Sequence, residues 1–292
     1  MAADFKLSRI VIVESLEAGE VRTGLALSEF IKGLGDVIAL ELPVEYRSCE
    51  SKGEFLEVIV NLSRETWSGN QAPLLHIESH GDPQFGLEFA NSSLLSWDDL
   101  SSALVQLNKA SRFNLVCAVA ACYGAYFLDR FSTIDPAPCY ALVAPNEAVD
   151  SAELMAGFRD FYRIMFQKRD AGLAVDTLLR RHRTRNVWFA QLAEGWYEHV
   201  SVGYVKAHCT KPMMRERCQK LLRKLRSEGD STSMGKLKRM LSRLNRTELV
   251  GKHFNTYFMT DEIPENIGRF QHVRTKVAQE VASLRATGRY LV

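Results

Sequence analysis

The sequence predicts an α/β domain with a mainly parallel sheet and flanking helices, followed by a helical C-terminal region. Three observations predict it. Apolar runs of strand length alternate with helical segments through the first half of the chain, the pattern of strands joined by crossover helices. These runs are nearly continuous in apolar residues, as in strands covered on both faces. The second half keeps helical periodicity almost throughout.

Taken in order, residues 10–13 are a short apolar strand and 23–34 a helix ended by Gly35. Residues 37–42 read as a second strand, 55–67 as a second helix and 73–79 as a third strand ended by Gly81. Gly86 to Phe89 and Leu94 to Leu95 read as a small hairpin around the turn-forming Asn91-Ser-Ser. Ser96 followed by Trp-Asp-Asp is an N-cap with an acidic first turn, opening a helix to about Lys109. Residues 113–121 are the most apolar strand, 126–131 begin a helix, and 139–144 are a fifth strand. Beyond them, 152–168, 172–183, 211–226 and 236–246 read as helices, the last two strongly basic and joined by a polar linker at 227–233. The reading divides the chain into a domain over 1–186 and a basic helical region over 187–292.

Hydrophobic residues make up 46% and charged residues 25% of the 292, so a core can form without disulfide staples. No apolar stretch approaches the roughly 20 residues of a membrane span. The start, Met-Ala-Ala-Asp-Phe-Lys, lacks a basic region followed by an apolar core, so no secretory signal is expected. The six cysteines show neither a disulfide framework nor a zinc-site spacing. A reducing cytoplasm is therefore the expected location. The net charge of +2 hides a split: residues 1–150 hold 10 Lys+Arg against 21 Asp+Glu, a balance of −11, and the remainder hold 27 against 14, a balance of +13. Two modules of opposite sign, or one clamping the other, would carry such a split.

Two apolar strands each end in a reactive side chain: Leu-Leu-His-Ile-Glu-Ser-His-Gly over 74–81 and Leu-Val-Cys-Ala-Val-Ala-Ala-Cys-Tyr-Gly over 115–124. In one parallel sheet, His80 and Cys122 would emerge at the carboxyl edge, where sites of such folds gather. An imidazole beside a thiol can take its proton and leave the nucleophilic thiolate. The amides of Gly81 and Cys122 would be donors for an oxyanion. Gly124 permits a tight turn that lifts the thiol from the sheet. Cys117, inside its strand, reads as core. His76, Glu78 and His80 share one strand face, a spacing that can also hold a metal, so a metal hydrolase is a rival reading. Otherwise His76 is a hydrogen-bonded histidine in the sheet, and Glu78 orients His80 or buttresses a loop. No cofactor is expected under the thiol reading.

An apolar strand ending in His-Gly, then a hairpin and a helix, then an apolar strand ending in Ala-Cys-Tyr-Gly resembles the caspase-like cysteine peptidases. Among them the bacterial CHAT domains look most similar. The resemblance implies a protease with His80 as catalytic histidine, Cys122 as nucleophile, and the Gly81 and Cys122 amides as oxyanion donors. It implies a protein substrate and regulated proteolysis, including antiviral defence and cell-death systems. Ala120 stands where metacaspases carry an acidic residue, and Arg22 is the one arginine in an early loop of the kind caspases use to read an acidic substrate. Glu14, Glu17 and Glu20 after the first strand, with Glu147 and Asp150 after the fifth, are expected to form an acidic rim that binds a basic substrate residue. A catalytically silent scaffold is the alternative from a different class. The basic helices leave their counterpart open among a regulatory partner, nucleic acid and the acidic half itself. They would either clamp the active-site edge, with Arg226 a self-processing point, or pack permanently through Leu221, Leu222, Leu225, Leu237, Met240 and Leu244.

Overall fold

Parallel strands joined by right-handed crossovers determine which helix lies on which face. The sheet starts with β1 (Leu7–Ser15), buried from residue 9 onward. Next come α1 (Thr23–Ile38), β2 (Val44–Ser48), α2 (Lys52–Gly69) and β3 (Ala72–Asp82). The short strands β4 (Gly86–Glu88) and β5 (Leu94–Leu95) form the expected hairpin, and β4 also pairs with the tip of β3. Then follow α3 (Trp97–Ala110), β6 (Val116–Ala120), a 3-10 helix (Gly124–Arg130), β7 (Ala141–Pro145), α4 (Ser151–Gln167), α5 (Ala171–Leu179) and β8 (Trp188–Leu192). The order across the sheet is β2-β1-β3-β6-β7-β8, with all neighbours parallel except β7 and β8. From β1 the chain steps one way to β2, then back across to β3. Right-handed crossovers in opposite directions place α1 and α2 on opposite faces. In keeping with this, α1 packs with α4, and α2 with α3.

The computed structural model describes residues 7–38, 42–69, 72–182 and 185–292. Residues 1–6, where the absence of a secretory signal was read, lie outside the described residues, as do 39–41 of the strand expected at 37–42 and Arg183 of the helix expected at 172–183. By contact, the chain divides into one unit of Met1–Phe131 with Ala137–Ala193 and another of Ser132–Pro136 with Glu194–Val292. The expected division at 186 thus moves to 193, because β8 completes the sheet. No helix among the described residues is long and apolar enough to cross a membrane.

The apolar strands at 73–79 and 113–121 form where expected, as β3 and β6, and Ser96 caps α3 by accepting from Asp99 N at 3.1 Å. The strand expected at 37–42 does not form at its start. Helix α1 runs through Gly35 to Ile38, Val37 is exposed, and the second strand begins at Val44. It is an edge strand with one neighbour, so its faces are half-buried and its sequence, Val-Glu-Tyr-Arg-Ser, lacks an apolar run. The residues expected to begin a helix at 126–131 fall instead in the 3-10 turn.

The second unit is helical: α6 (Ala193–His208), α7 (Lys211–Ser227), α8 (Met234–Val250), α9 (Lys252–Tyr257), α10 (Asn266–Arg269) and α11 (Gln271–Ala286). Tyr197, Phe254, Tyr257, Phe258 and Phe270 form an aromatic core. The α7–α8 hairpin buries Met214, Cys218, Leu222, Leu237 and Leu241, with Leu221 and Leu225 partly covered. Met240 and Leu244, expected among the packed residues, remain exposed.

A single carboxylate ties α4 to the end of α5 and to β8. Glu153 accepts from Arg181 Nε at 2.9 Å and Nη2 at 3.0 Å, from His182 Nε2 at 2.9 Å and from Trp188 Nε1 at 3.1 Å. The Arg181 guanidinium, helped by the other donors, holds the Glu153 carboxyl down at about 2. A depressed carboxyl contributes stability above its unfolded pKa and loses it as pH falls through the folded one. Stability should therefore decline between pH of about 4.5 and 2. Arg181→Gln should cost about 1–2 kcal/mol at neutral pH, allowing for solvent screening, and flatten that decline. Urea midpoints measured across this range check both; an unchanged slope in the variant would place the acid sensitivity elsewhere.

Candidate active site

The register of the two central strands positions the site. β3 and β6 pair in parallel from Leu74↔Val116 to Glu78↔Ala120. His80 lies two residues after Glu78, within the extension of β3 that pairs with β4, and Cys122 lies two residues after Ala120, in the turn that leaves β6. Both stand toward the carboxyl ends of adjacent parallel strands.

The order of strands reverses between β1 and β3, and ligand crevices open at such a switch point. The loop after β1 and the end of β3 meet there. His80, whose side chain is about half exposed, has its Nε2 2.9 Å from Glu20 Oε1. A carboxylate only accepts, so Nε2 carries the proton and Nδ1 is left for a reacting partner. The other Glu20 oxygen accepts from the Glu17 amide at 2.6 Å, which fixes the carboxylate in its loop. The expectation placed Glu20 on a substrate rim; it is instead the partner of His80. Its place in the first strand-to-helix loop was the one signal in the sequence for that role.

Cys122 follows β6 in a tight turn. Gly124 N donates to Ala121 O at 3.0 Å, and Tyr123 takes the left-handed conformation with φ 59°. The left-handed position therefore falls on Tyr123 and not on Gly124. Gly124 matters for space, because a Cβ there would lie 2.8 Å from Val119 O. Cys122 Sγ is 3.5 Å from both the amide nitrogen and the carbonyl oxygen of Val149, in the loop after β7. Gly81 lies against the same turn: a Cβ on it would sit 2.2 Å from Cys122 O. Only glycine lets the end of β3 and the turn after β6 close to this distance.

Of the six cysteines, Cys122 alone is partly exposed; the other five are buried. Burial pushes the Cys49 and Cys209 thiols up to about 11, and it raises those of Cys139 and Cys218. A thiol held protonated in this way is a poor nucleophile.

The other expected residues divide. Glu14 is fully buried and accepts from Gly24 N and Tyr46 Oη, both at 2.6 Å, so it is no part of a rim. Asp150 caps α4, accepting from Glu153 N at 2.8 Å. Glu147 pairs with Arg185 at 2.6 Å. Glu17 alone of the five is exposed without a side-chain partner among the described residues. Carboxylates at this edge lie beside helix N-termini, whose free N–H groups recruit them. The metal reading also fails on geometry. His76 is buried, 3.1 Å from both Glu78 Oε1 and Tyr162 Oη, and the Thr23 hydroxyl donates to Glu78. Glu78 thus buttresses the start of α1 and does not orient His80. Among the described residues, no group of three His, Cys, Asp or Glu is arranged to hold a metal ion.

Gly81→Ala should force the Cys122 carbonyl aside, lower stability by about 1–3 kcal/mol and change the alkylation rate of Cys122. Gly53→Ala, whose new methyl would meet nothing nearer than 3.7 Å, is the control. Thermal melts with iodoacetamide kinetics decide it; equal behaviour of the two variants would refute the close approach. Neither protein-family models nor curated proteins match this chain.

Proposed function

We propose that this chain is a cysteine endopeptidase, cleaving a protein target through a thioester on Cys122. The observation that carries this reading is that His80 and Cys122 both follow the carboxyl ends of the paired stretch of two adjacent parallel strands, with Cys122 the one partly exposed thiol of six. The His-Gly and Ala-Cys-Tyr-Gly strand ends, similar to those of caspase-like peptidases, support it further.

In the proposed reaction, His80 Nδ1 takes the Cys122 proton and the thiolate attacks the scissile carbonyl carbon. The Gly81 and Cys122 amides face the oxyanion. The imidazolium returns its proton to the leaving amine as the C–N bond breaks, leaving the acyl group on sulfur. Water then attacks the thioester, losing a proton to His80; the C–S bond breaks, the acid product leaves, and the imidazolium returns the proton to the Cys122 sulfur. Glu20 stabilises the imidazolium and keeps Nε2 protonated, so that Nδ1 always faces the reaction. His80 and Cys122 have separate partners in the free enzyme, and such contacts commonly tighten only when substrate binds. A reducing cytosolic setting would suit a free catalytic thiol.

Iodoacetamide or a peptidyl ketone, read by peptide mass mapping, should modify Cys122 first. Cys122→Ala should abolish both modification and turnover on a peptide library, and His80→Ala should lower them about 100-fold or more. Glu20→Gln should cost about 10-fold in turnover, since it removes the carboxylate acceptor that holds the imidazole in place. Cys117→Ala should leave the rate unchanged. Modification of Cys122 that is indifferent to His80, with no turnover of any peptide, would leave the chain a silent scaffold.

A further inference from the structure

We propose that the α7–α8 hairpin binds double-stranded DNA along its phosphate backbone, without reading base sequence. Residues 211–246 hold 12 Lys+Arg against three acidic residues. Apart from Arg217, which donates to the Tyr204 hydroxyl at 2.9 Å, the hairpin's own packing does not use these charges. Its two helices meet through Met214, Cys218, Leu222, Leu237 and Leu241, which turns the cations outward. On α8, Lys236, Arg239 and Arg243 follow one another at helical spacing on the exposed side; Lys220, Arg223 and Lys224 do so on α7. Among the described residues, the Lys and Arg side chains of these two helices make one ion pair, the exposed Lys220–Glu216 contact at 2.8 Å; Glu248 near the end of α8 faces His253 at 3.3 Å. Holding this many like charges together costs free energy that the hairpin does not recover internally, and a polyanion would offset it.

The kind of polyanion follows from what accompanies the charge. Each helix has 17 residues, a length of about 25 Å, enough to run beside roughly seven base pairs. A cleft of about 620 Å³ between them, lined by Lys211, Arg215 and Lys238 with Glu216, has room for a phosphate. Single strands are held by stacking bases on aromatic rings, and neither helix contains Phe, Tyr or Trp. A membrane surface needs a continuous apolar face, whereas here the apolar side faces inward, with Met213 exposed on α7 and Met240 and Leu244 exposed on α8. A protein interface centres on aromatic anchors in a desolvated patch, and this surface has none. Repeated cations with few side chains able to read bases fit sequence-independent contact with a duplex.

The test uses the full chain and a fluorescent ~20-base-pair duplex, with anisotropy read from about 50 to 300 mM NaCl. Binding should weaken with salt, with a log–log slope of about −4 to −6. The triple variant Lys236→Gln, Arg239→Gln, Arg243→Gln removes only exposed charges. It should reduce that slope by about 3 and lower affinity about 10-fold or more at 100 mM salt. Lys32→Gln with Lys168→Gln, exposed cations of the first unit, should change neither. The proposal is overturned by no binding to the duplex at the lowest salt, or by equal losses in triple variant and control. Tighter binding to a single-stranded RNA of equal length, to phosphatidylserine vesicles or to polyglutamate would overturn it as well. None of these readings involves peptide cleavage, so the peptidase reading stands or falls separately.

Discussion

Two buried carboxylates, side by side under the first helix, hold this fold's working edge in place. Glu14 and Glu78 are register partners on β1 and β3. Polar side chains so placed need hydrogen-bond partners, because burial removes the water that would otherwise serve them. They persist because each is supplied with donors. Glu14 accepts from Gly24 N and the Tyr46 hydroxyl, with Arg22 at 3.6 Å; Glu78 accepts from the Thr23 hydroxyl and His76. Thr23 and Gly24 open α1, so both carboxylates also meet the positive end of its dipole. Burial, together with the neighbouring carboxylate, raises Tyr46 to about 12 and also raises Tyr162. Both phenols thus stay protonated and remain donors.

The site extends directly from this pair. His80 lies two residues beyond Glu78, and Glu20 sits in the loop between Glu14 and Thr23. The loop is tethered at each end by a buried carboxylate, so the distance between Glu20 and His80 is set by groups that touch neither. A positioned imidazole needs support of this kind, since small displacements are costly in catalysis. Cys122 has its own support: the close fit of Gly81 on its carbonyl, and the Val149 backbone at the thiol.

The two central strands were legible because burial on both faces writes itself as an unbroken apolar run, and β3 and β6 have that run. The edges were not. β2 has one neighbour and a mixed sequence, and β8 lies in a half of the chain where helical periodicity dominates. That His80 and Cys122 follow the ends of the paired stretches of β3 and β6 could be read because strand ends carry their residues in sequence. The role of Glu20 could not, because it depends on how a seven-residue loop folds across the switch point. Nor could the fate of Glu14. Its place near a strand end suggests a rim, but β1 continues past it to Ser15, and the side chain turns under α1.

The charge split between the halves shows why counting charges is not the same as locating a field. In the first half, many acids are consumed internally. Glu14 and Glu78 are buried, Glu45 and Glu65 share the buried Arg9 with Arg47 nearby, and Asp150 caps a helix. Their charge is met by donors within a few ångströms, so these groups do not form an exposed acidic surface. In the second half, the cations of α7 and α8 stand on helix faces that the core does not need and almost no carboxylate answers. A long, flexible Lys or Arg keeps its head in water while its stem rests on the helix, so folding does not oblige it to find a partner. A buried carboxylate has no such freedom. The same net magnitude therefore means a fixed interior scaffold in one half and an unspent surface field in the other.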